Sequence, residues 1–489
     1  MIKSKFRIGW ASRDITPSKK VNLDGQFNIR IASEVRDPVT TTALAISLSD
    51  APADSVIFVS CDLVGIPACV VDESRKKILK QAKDFPVQSL VLNATHTHTA
   101  PDLRPGVYDY NELSPKELEN LMHPEEYLDF LTGKIAEAAI ESWQNRKNGR
   151  IAWGIGHAVV GHNRRTVYLK EFKERPVFQE TPGWEIKTTA EMYGPTNDPW
   201  FSHMEGHEDH AVQFVFTFDE HEKLTGSIIN LVCPSQETEG LSVVSADFWH
   251  DVRESLREKY GPNLFVLPQC GAAGDQSPHL MLHRKAEERR LKLKGLDSRK
   301  EIAWRICSAF DETFSWAKKD IQDELPLRHI CRNVNLSKRI VSEEEYQLNK
   351  KWFKEIEAQG AGKLSFLAVN RCKVIVKKYE DQQKGLDKIL PIELHVIRFG
   401  DIVFATNPFE LFLDFGERIQ ARSPAVQTLT IQLAGRGEER GGSYLSTERA
   451  SKGGGYSACA YCNQIGYQGG QELVEASLKA INELWPNDR

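Results

Sequence analysis

Two imidazoles two residues apart, His96 and His98, stand in the stretch Asn93-Ala94-Thr95-His96-Thr97-His98-Thr99. Neutral imidazole is the commonest side-chain ligand for a metal ion and titrates near neutral pH. On extended backbone this spacing points both rings the same way and offers a metal or acid/base site. By itself such a pair is more often a polar loop, so the rest of the chain has to decide. His203-Met204-Glu205-Gly206-His207-Glu208-Asp209-His210 is dense in possible ligands but shows no scaffold spacing. Cys459-Ala460-Tyr461-Cys462 is a lone CxxC with no second pair at zinc-finger spacing and reads as structural. Ser277 sits in the turn Gly274-Asp275-Gln276-Ser277-Pro278; it lacks the GxSxG nucleophile elbow, which favours a hydrogen-bonding role over a covalent one.

The elements around the histidine pair follow a repeated grammar. Ser55 to Ser60 reads as a strand, Ala68 to Phe85 as a helix and Val87 to Leu92 as a second strand that delivers His96 and His98. This is a β-α-β crossover, and ligands bind beyond the carboxyl ends of such strands. The pattern returns as a strand at Gly226 to Cys233, a helix at Ala246 to Gly261 and a strand at Asn263 to Pro268, which leads into the Ser277 turn. It returns again as a strand at Asp401 to Thr406, a helix opened by Asn407-Pro408 and a strand at Gln427 to Ala434, which empties into a glycine-rich region from Gly435 to Tyr456. Three crossovers ending in polar loops can assemble one crevice. The expected fold class is α/β, with mixed sheets and β-α-β crossovers, as a single domain over 1–489 divisible into lobes of about 1–225 and 226–489.

The chain has 489 residues, is 40% hydrophobic and 27% charged, and carries a formal net charge of -5, which suits a globular protein with a large core. An acidic balance with pI near 6.3 excludes a nucleic-acid binder driven by a basic surplus. No apolar run approaches the roughly 20 residues that span a bilayer, and no signal peptide opens the sequence, so a cytoplasmic location without integral membrane association is expected. Nine scattered cysteines do not form a disulfide framework.

An ordered set of motifs resembles the catalytic domain of the neutral/alkaline, non-lysosomal ceramidase family. It runs through Gly9 to Pro17 (GWASRDITP), Arg36-Asp37-Pro38, Asn93 to Pro101 (NATHTHTAP), Asn163-Arg164, Gly274 to Pro278 (GDQSP), Pro408-Phe409-Glu410, Tyr444 in SYLSTERA and Tyr456 in GGGYSA. The resemblance implies a hydrolase that cleaves an amide with one zinc ion. It implies His96, Glu410 and Tyr444 as metal ligands, and His98, Arg164, Ser277 and Tyr456 around the scissile carbonyl. Zinc with an open position polarises a carbonyl and lowers the pKa of bound water to about 7. Arg, His and Tyr donors can hold the developing oxyanion.

The sequence departs from that family where a further zinc histidine is expected. After the strand ending at Val232 it continues Cys233-Pro234-Ser235-Gln236-Glu237. Cys233, Gln236, His207 and His210 are the alternatives for that place, as is loss of the metal. The family's secreted members add an immunoglobulin-like domain, whereas here the last element read from the sequence is a helix at Gly470 to Trp485. The expected substrate is therefore a small, water-soluble amide or ester rather than ceramide. The rival readings are a metal-free hydrolase with Ser277 or Cys233 as nucleophile, and a non-catalytic binding protein. The sequence carries no signature of oligomeric state.

Overall fold

The structure is a computed structural model that describes residues 4–49, 54–176, 181–183, 186–359, 363–386, 388–439 and 441–485. A long mixed sheet is built from β1 (Ser4–Asp14), β2 (Thr40–Leu48) and β3 (Ser55–Cys61). Helix α1 (Ala68–Gln81) then leads to β4 (Leu90–Ala94), and α2 (Pro124–Gln144) to β5 (Lys147–His157). The sheet continues in β6 (Ala211–Asp219) and β7 (Leu224–Leu231), followed by α3 (Phe248–Tyr260), β8 (Phe265–Cys270) and α4 (Ser298–Ala317). Its strand order is β8-β7-β6-β5-β1-β2-β3-β4. A second sheet, in strand order, consists of β9 (Leu327–Ser337), β10 (Ile389–Phe399), β11 (Ile402–Thr406) and β12 (Gln427–Ile431). Two further helices, α5 (Leu413–Arg422) and α6 (Tyr467–Glu483), accompany it.

Side-chain alternation along the strands decides the layers. Phe6, Ile8 and Trp10 of β1, with Val56 and Phe58 of β3, meet Ile397, Phe399, Phe404 and Leu429 of the second sheet. The intervening Ala11, Ile57 and Val59 face α1 and α2 through Val70, Ile78, Tyr127 and Leu131. Phe214 and Phe216 of β6 pack on Trp249 of α3 and Phe310 of α4. On the far face of the second sheet, Leu394, Val396 and Val403 meet Phe415, Ile419, Leu473 and Val474. The result is four layers, helix-sheet-sheet-helix. A strand covered on both faces needs no polar alternation, which is why Ser55–Cys61 is buried throughout. Gly9 lets α2 approach closely, since a Cβ there would lie 2.0 Å from the Ser142 carbonyl oxygen.

All three expected crossovers are present as parallel pairs: β3 with β4, β7 with β8, and β11 with β12. A division near residue 225 would fall inside the β6–β7 hairpin of one sheet. The helix expected to start at Asn407-Pro408 starts at Leu413 instead. Asn407 Oδ1 accepts the Phe409 N–H and Gln432 Oε1 accepts the Leu411 N–H, which holds the backbone extended between them. Glu410 therefore lies on a two-residue strand in parallel register with Tyr444 rather than in a helical first turn.

Candidate active site

The carboxyl ends of the crossovers meet, and polar side chains tie them together there. Asn93 Nδ2 donates to the Pro268 carbonyl at 3.1 Å, Asn230 Nδ2 to the Thr430 carbonyl at 2.8 Å, and the Ala94 N–H to the Leu433 carbonyl at 3.2 Å. Asp62, at the end of β3, is fully buried. It accepts from both terminal nitrogens of Arg253 (2.8 and 2.9 Å), from the Thr40 N–H, and from Thr95 Oγ1 at 3.4 Å. The residue before His96 is thus anchored to α3.

His96 does not continue the strand: its φ is 64°, so the extended-backbone expectation fails. The two rings converge nonetheless, with Nε2 atoms 3.4 Å apart and ring planes at 75°. The Val64 carbonyl only accepts, so the 2.6 Å contact places the proton of His96 on Nδ1 and leaves a lone pair on Nε2. That lone pair lies 3.2 Å from Glu410 Oε2, a buried oxygen with no hydrogen-bond partner. His98 is fixed in the same sense. Its Nδ1 faces Glu239 Oε2 at 3.1 Å, and its Nε2 meets the Gln236 amide nitrogen at 2.8 Å. Gln236 Oε1 in turn accepts from Arg164 Nη1 at 3.1 Å, which assigns the amide orientation. His96 Nε2 thus stands between two further electron-pair donors, His98 Nε2 at 3.4 Å and Glu410 Oε2 at 3.2 Å.

Arg164 is buried beneath this group. Its Nη2 lies 3.5 Å from Glu410 Oε2, 3.4 Å from Tyr444 Oη and 3.0 Å from the Gly274 carbonyl oxygen. Burial opposes charging Glu410, yet His96 and Arg164 outweigh it and hold the carboxyl below its usual range. Burial likewise disfavours a charged His96, but Glu410 pulls the imidazole above its ordinary value. His98 goes the other way, because burial dominates and lowers it. Burial would raise Glu239 too, but His98, His279 and Arg164 hold it at about 2.

His96, His98, Glu410, Tyr444 and Tyr456 line one cavity of ≈ 190 Å³. Tyr456 stands edge-on to both Tyr444 and Phe27, at 5.6 and 5.1 Å. The helix Lys363–Gln383 brings Leu367 and Arg371 to the same cavity. Arg164 is underneath it. Ser277 lies behind Tyr193, where its Oγ accepts from Tyr193 Oη at 2.9 Å and the His279 N–H at 3.0 Å, not from an imidazole. Cys233 turns into the core, with Sγ 3.4 Å from the Val160 carbonyl oxygen and its thiol raised well above its usual value by burial. His210 lies 3.4 Å from Glu208, and the His207 carbonyl accepts from Gln276. Gln236 is therefore the one alternative seen in contact with the histidine pair. None of the nine cysteines is in a disulfide, and Cys459 Sγ lies 3.3 Å from Cys462 Sγ.

Glu239 and Tyr193 escape sequence reasoning. Glu239 sits three residues past Gln236 in an irregular loop, and Tyr193, with φ 56°, follows a short strand. Gly25 also matters: at φ 96° a Cβ would lie 2.4 Å from His98 Cγ. Gly25→Ala is expected to cost about 1–3 kcal/mol of stability through backbone strain and also to displace the His98 ring. Gly106→Ala is the control, with φ 75° and open space around it, and should carry only the strain. Denaturant melts with histidine NMR spectra of both variants separate the two effects.

No protein-family model matches the sequence, and no curated protein matches it. Solved structures do. The neutral ceramidase from Pseudomonas aeruginosa superimposes with a TM-score of 0.66 at 15% identity, over 98% of this chain and 75% of that one. A ceramidase complexed with C2 gives 0.66 at 14%, over 98% and 76%. At this identity the likeness speaks to architecture, and over nearly its whole length the chain has the fold of a neutral ceramidase.

Proposed function

We propose that this chain is a metal-dependent hydrolase acting on an amide bond of a small, polar substrate, with residues 1–489 working as one catalytic unit. The observation that carries the reading is the meeting of two buried groups, His96 Nε2 and Glu410 Oε2, at 3.2 Å beside the cavity. Such a buried pair is held either by a shared proton or by a metal ion, and the ligand types suit the latter. His96, Glu410 and Tyr444 would hold zinc, and the family resemblance favours the same three. When bound there, zinc supplies a Lewis acid that polarises a carbonyl and makes water a nucleophile near neutral pH.

The chain's own residues do the rest. Arg164 balances Glu410 and stands under the cavity floor as a donor for negative charge developing on a carbonyl oxygen. Tyr456 lines the cavity wall beside Tyr444 and can orient the substrate from there. His98 is held with its proton toward Glu239, so its Nε2 is the acceptor, and Gln236 occupies that lone pair until it is displaced. Ser277 steadies Tyr193, which accepts from Arg164 at 3.2 Å. A cavity of ≈ 190 Å³ is below the roughly 300 Å³ at which drug-sized ligand pockets begin, which favours a short acyl group over a lipid chain.

The test pairs metal analysis of untagged protein with hydrolysis of a panel of short-chain amides and esters, with and without a chelator. Zinc retained by the protein, with amide cleavage lost to the chelator and restored by zinc, is the expected result. Cleavage indifferent to the chelator would overturn the metal-dependent reading, and Cys233→Ala should leave activity in place.

A further inference from the structure

A second group of donors lies between the sheets and α1, away from the cavity. In β9 and β10, Cys331 faces His395 across the ladder. Cys331, Glu393 and His395 place a thiol sulfur, a carboxylate oxygen and an imidazole nitrogen within 4.8 Å of one another, the only such group among the described residues. His395 is wholly buried, Glu393 nearly so, and Cys331 is half-buried.

A run of close polar contacts passes through His395. His329 Nδ1 lies 3.0 Å from the Ser55 carbonyl oxygen, His329 Nε2 lies 2.9 Å from His395 Nδ1, and His395 Nε2 lies 2.7 Å from Glu393 Oε1. Ser55 offers only an acceptor. So does Glu393, whose charge Arg75 fixes through two contacts of 2.8 and 2.6 Å. A proton shared by His395 Nε2 and Glu393 Oε1 closes the last of these contacts, and a metal ion held by the same two atoms takes that proton's place. Counted from the Ser55 end, His329 donates to the carbonyl and His395 Nδ1 donates to His329.

We propose that Cys331, Glu393 and His395 form a second metal site, for one divalent thiolate-accepting ion such as zinc. The donor set is nitrogen, sulfur and oxygen, which zinc accepts in a three-ligand site with an open position. The route from His395 Nδ1 through His329 to a backbone carbonyl is the outer-shell pattern that orients a ligating imidazole. Zinc–ligand distances of about 2.0–2.1 Å require Nε2 and Oε1 to part by roughly half an ångström, within reach of side-chain rotation. Binding displaces two protons, one from the thiol and the one that His395 Nε2 and Glu393 Oε1 share across their 2.7 Å hydrogen bond. Charge is therefore conserved: the ion's two positive charges replace those protons, and Arg75 keeps its role.

Cobalt(II) reads the thiolate directly. The full chain is stripped with a chelator and titrated with cobalt(II), as wild type, His96→Ala, Cys331→Ser and Cys459→Ser, each checked for fold by circular dichroism. The expected result is a thiolate-to-cobalt absorption at one equivalent in wild type, His96→Ala and Cys459→Ser, and its loss in folded Cys331→Ser. Absence of that absorption in wild type, or its persistence in Cys331→Ser, overturns the proposal. Cys462 lines the cavity described above, so an absorption that survives His96→Ala and is lost in Cys331→Ser separates failure here from failure of the proposed catalytic site.

Discussion

Glu410→Gln is expected to strip the metal from the active site and reduce amide hydrolysis by at least about a hundredfold, beyond the 10–100-fold usual for outer-shell partners. The replacement keeps the shape and removes the anionic oxygen that faces His96 Nε2 at 3.2 Å. It also leaves Arg164 buried without its balancing carboxylate, 3.5 Å away. His96→Ala removes the other donor and should produce the same loss. Metal analysis with turnover numbers checks both, and full activity in either variant would sink the mechanism. The pair is more telling than either alone: Glu410→Gln can retain the fold through the β-ladder to Tyr444, so lost turnover with an intact melt points to chemistry rather than unfolding.

The largest effect on stability is expected from Asp62→Ala, at about 3–5 kcal/mol, the range for removing one partner of a buried ion pair. Arg253, itself buried, would lose both of its charge-assisted bonds, and the Thr40 N–H would lose its acceptor. Because Asp62 also receives Thr95 Oγ1, slackness should spread to His96 next door. Urea denaturation measures the loss. Combining Asp62→Ala with Arg253→Met should recover much of it, since the penalty arises from the stranded charge. No recovery would place the effect elsewhere.

The crossovers are legible because an apolar strand, a charged amphipathic helix and a glycine- or proline-marked turn each leave local traces in the sequence. The loops where those crossovers end locate the cavity for the same reason. What the sequence does not disclose is orientation inside those loops. Cys233 and Gln236 are three residues apart in a segment without periodicity, and core packing takes the sulfur while Arg164 takes the amide. Glu239 becomes visible only once the loop is folded back on His98. Glu410 reads as a helix start because Asn407-Pro408 has that form, yet side-chain acceptors from Asn407 and Gln432 hold the backbone straight. Helix signals are local, and these two bonds are tertiary or turn-specific.

Arg164 and Tyr444, which meet at the cavity floor, are separated by 280 positions in the chain. In kinetic terms the centre is a late product of folding: no early hairpin or single crossover contains it, and both sheets must dock before its donors meet. Non-local pairing of this kind is slow, because loop-closure entropy is lost before the contacts repay it. On refolding from urea, hydrolysis is expected to return after the far-ultraviolet helical signal, and the lag between the two reports when the sheets close on one another.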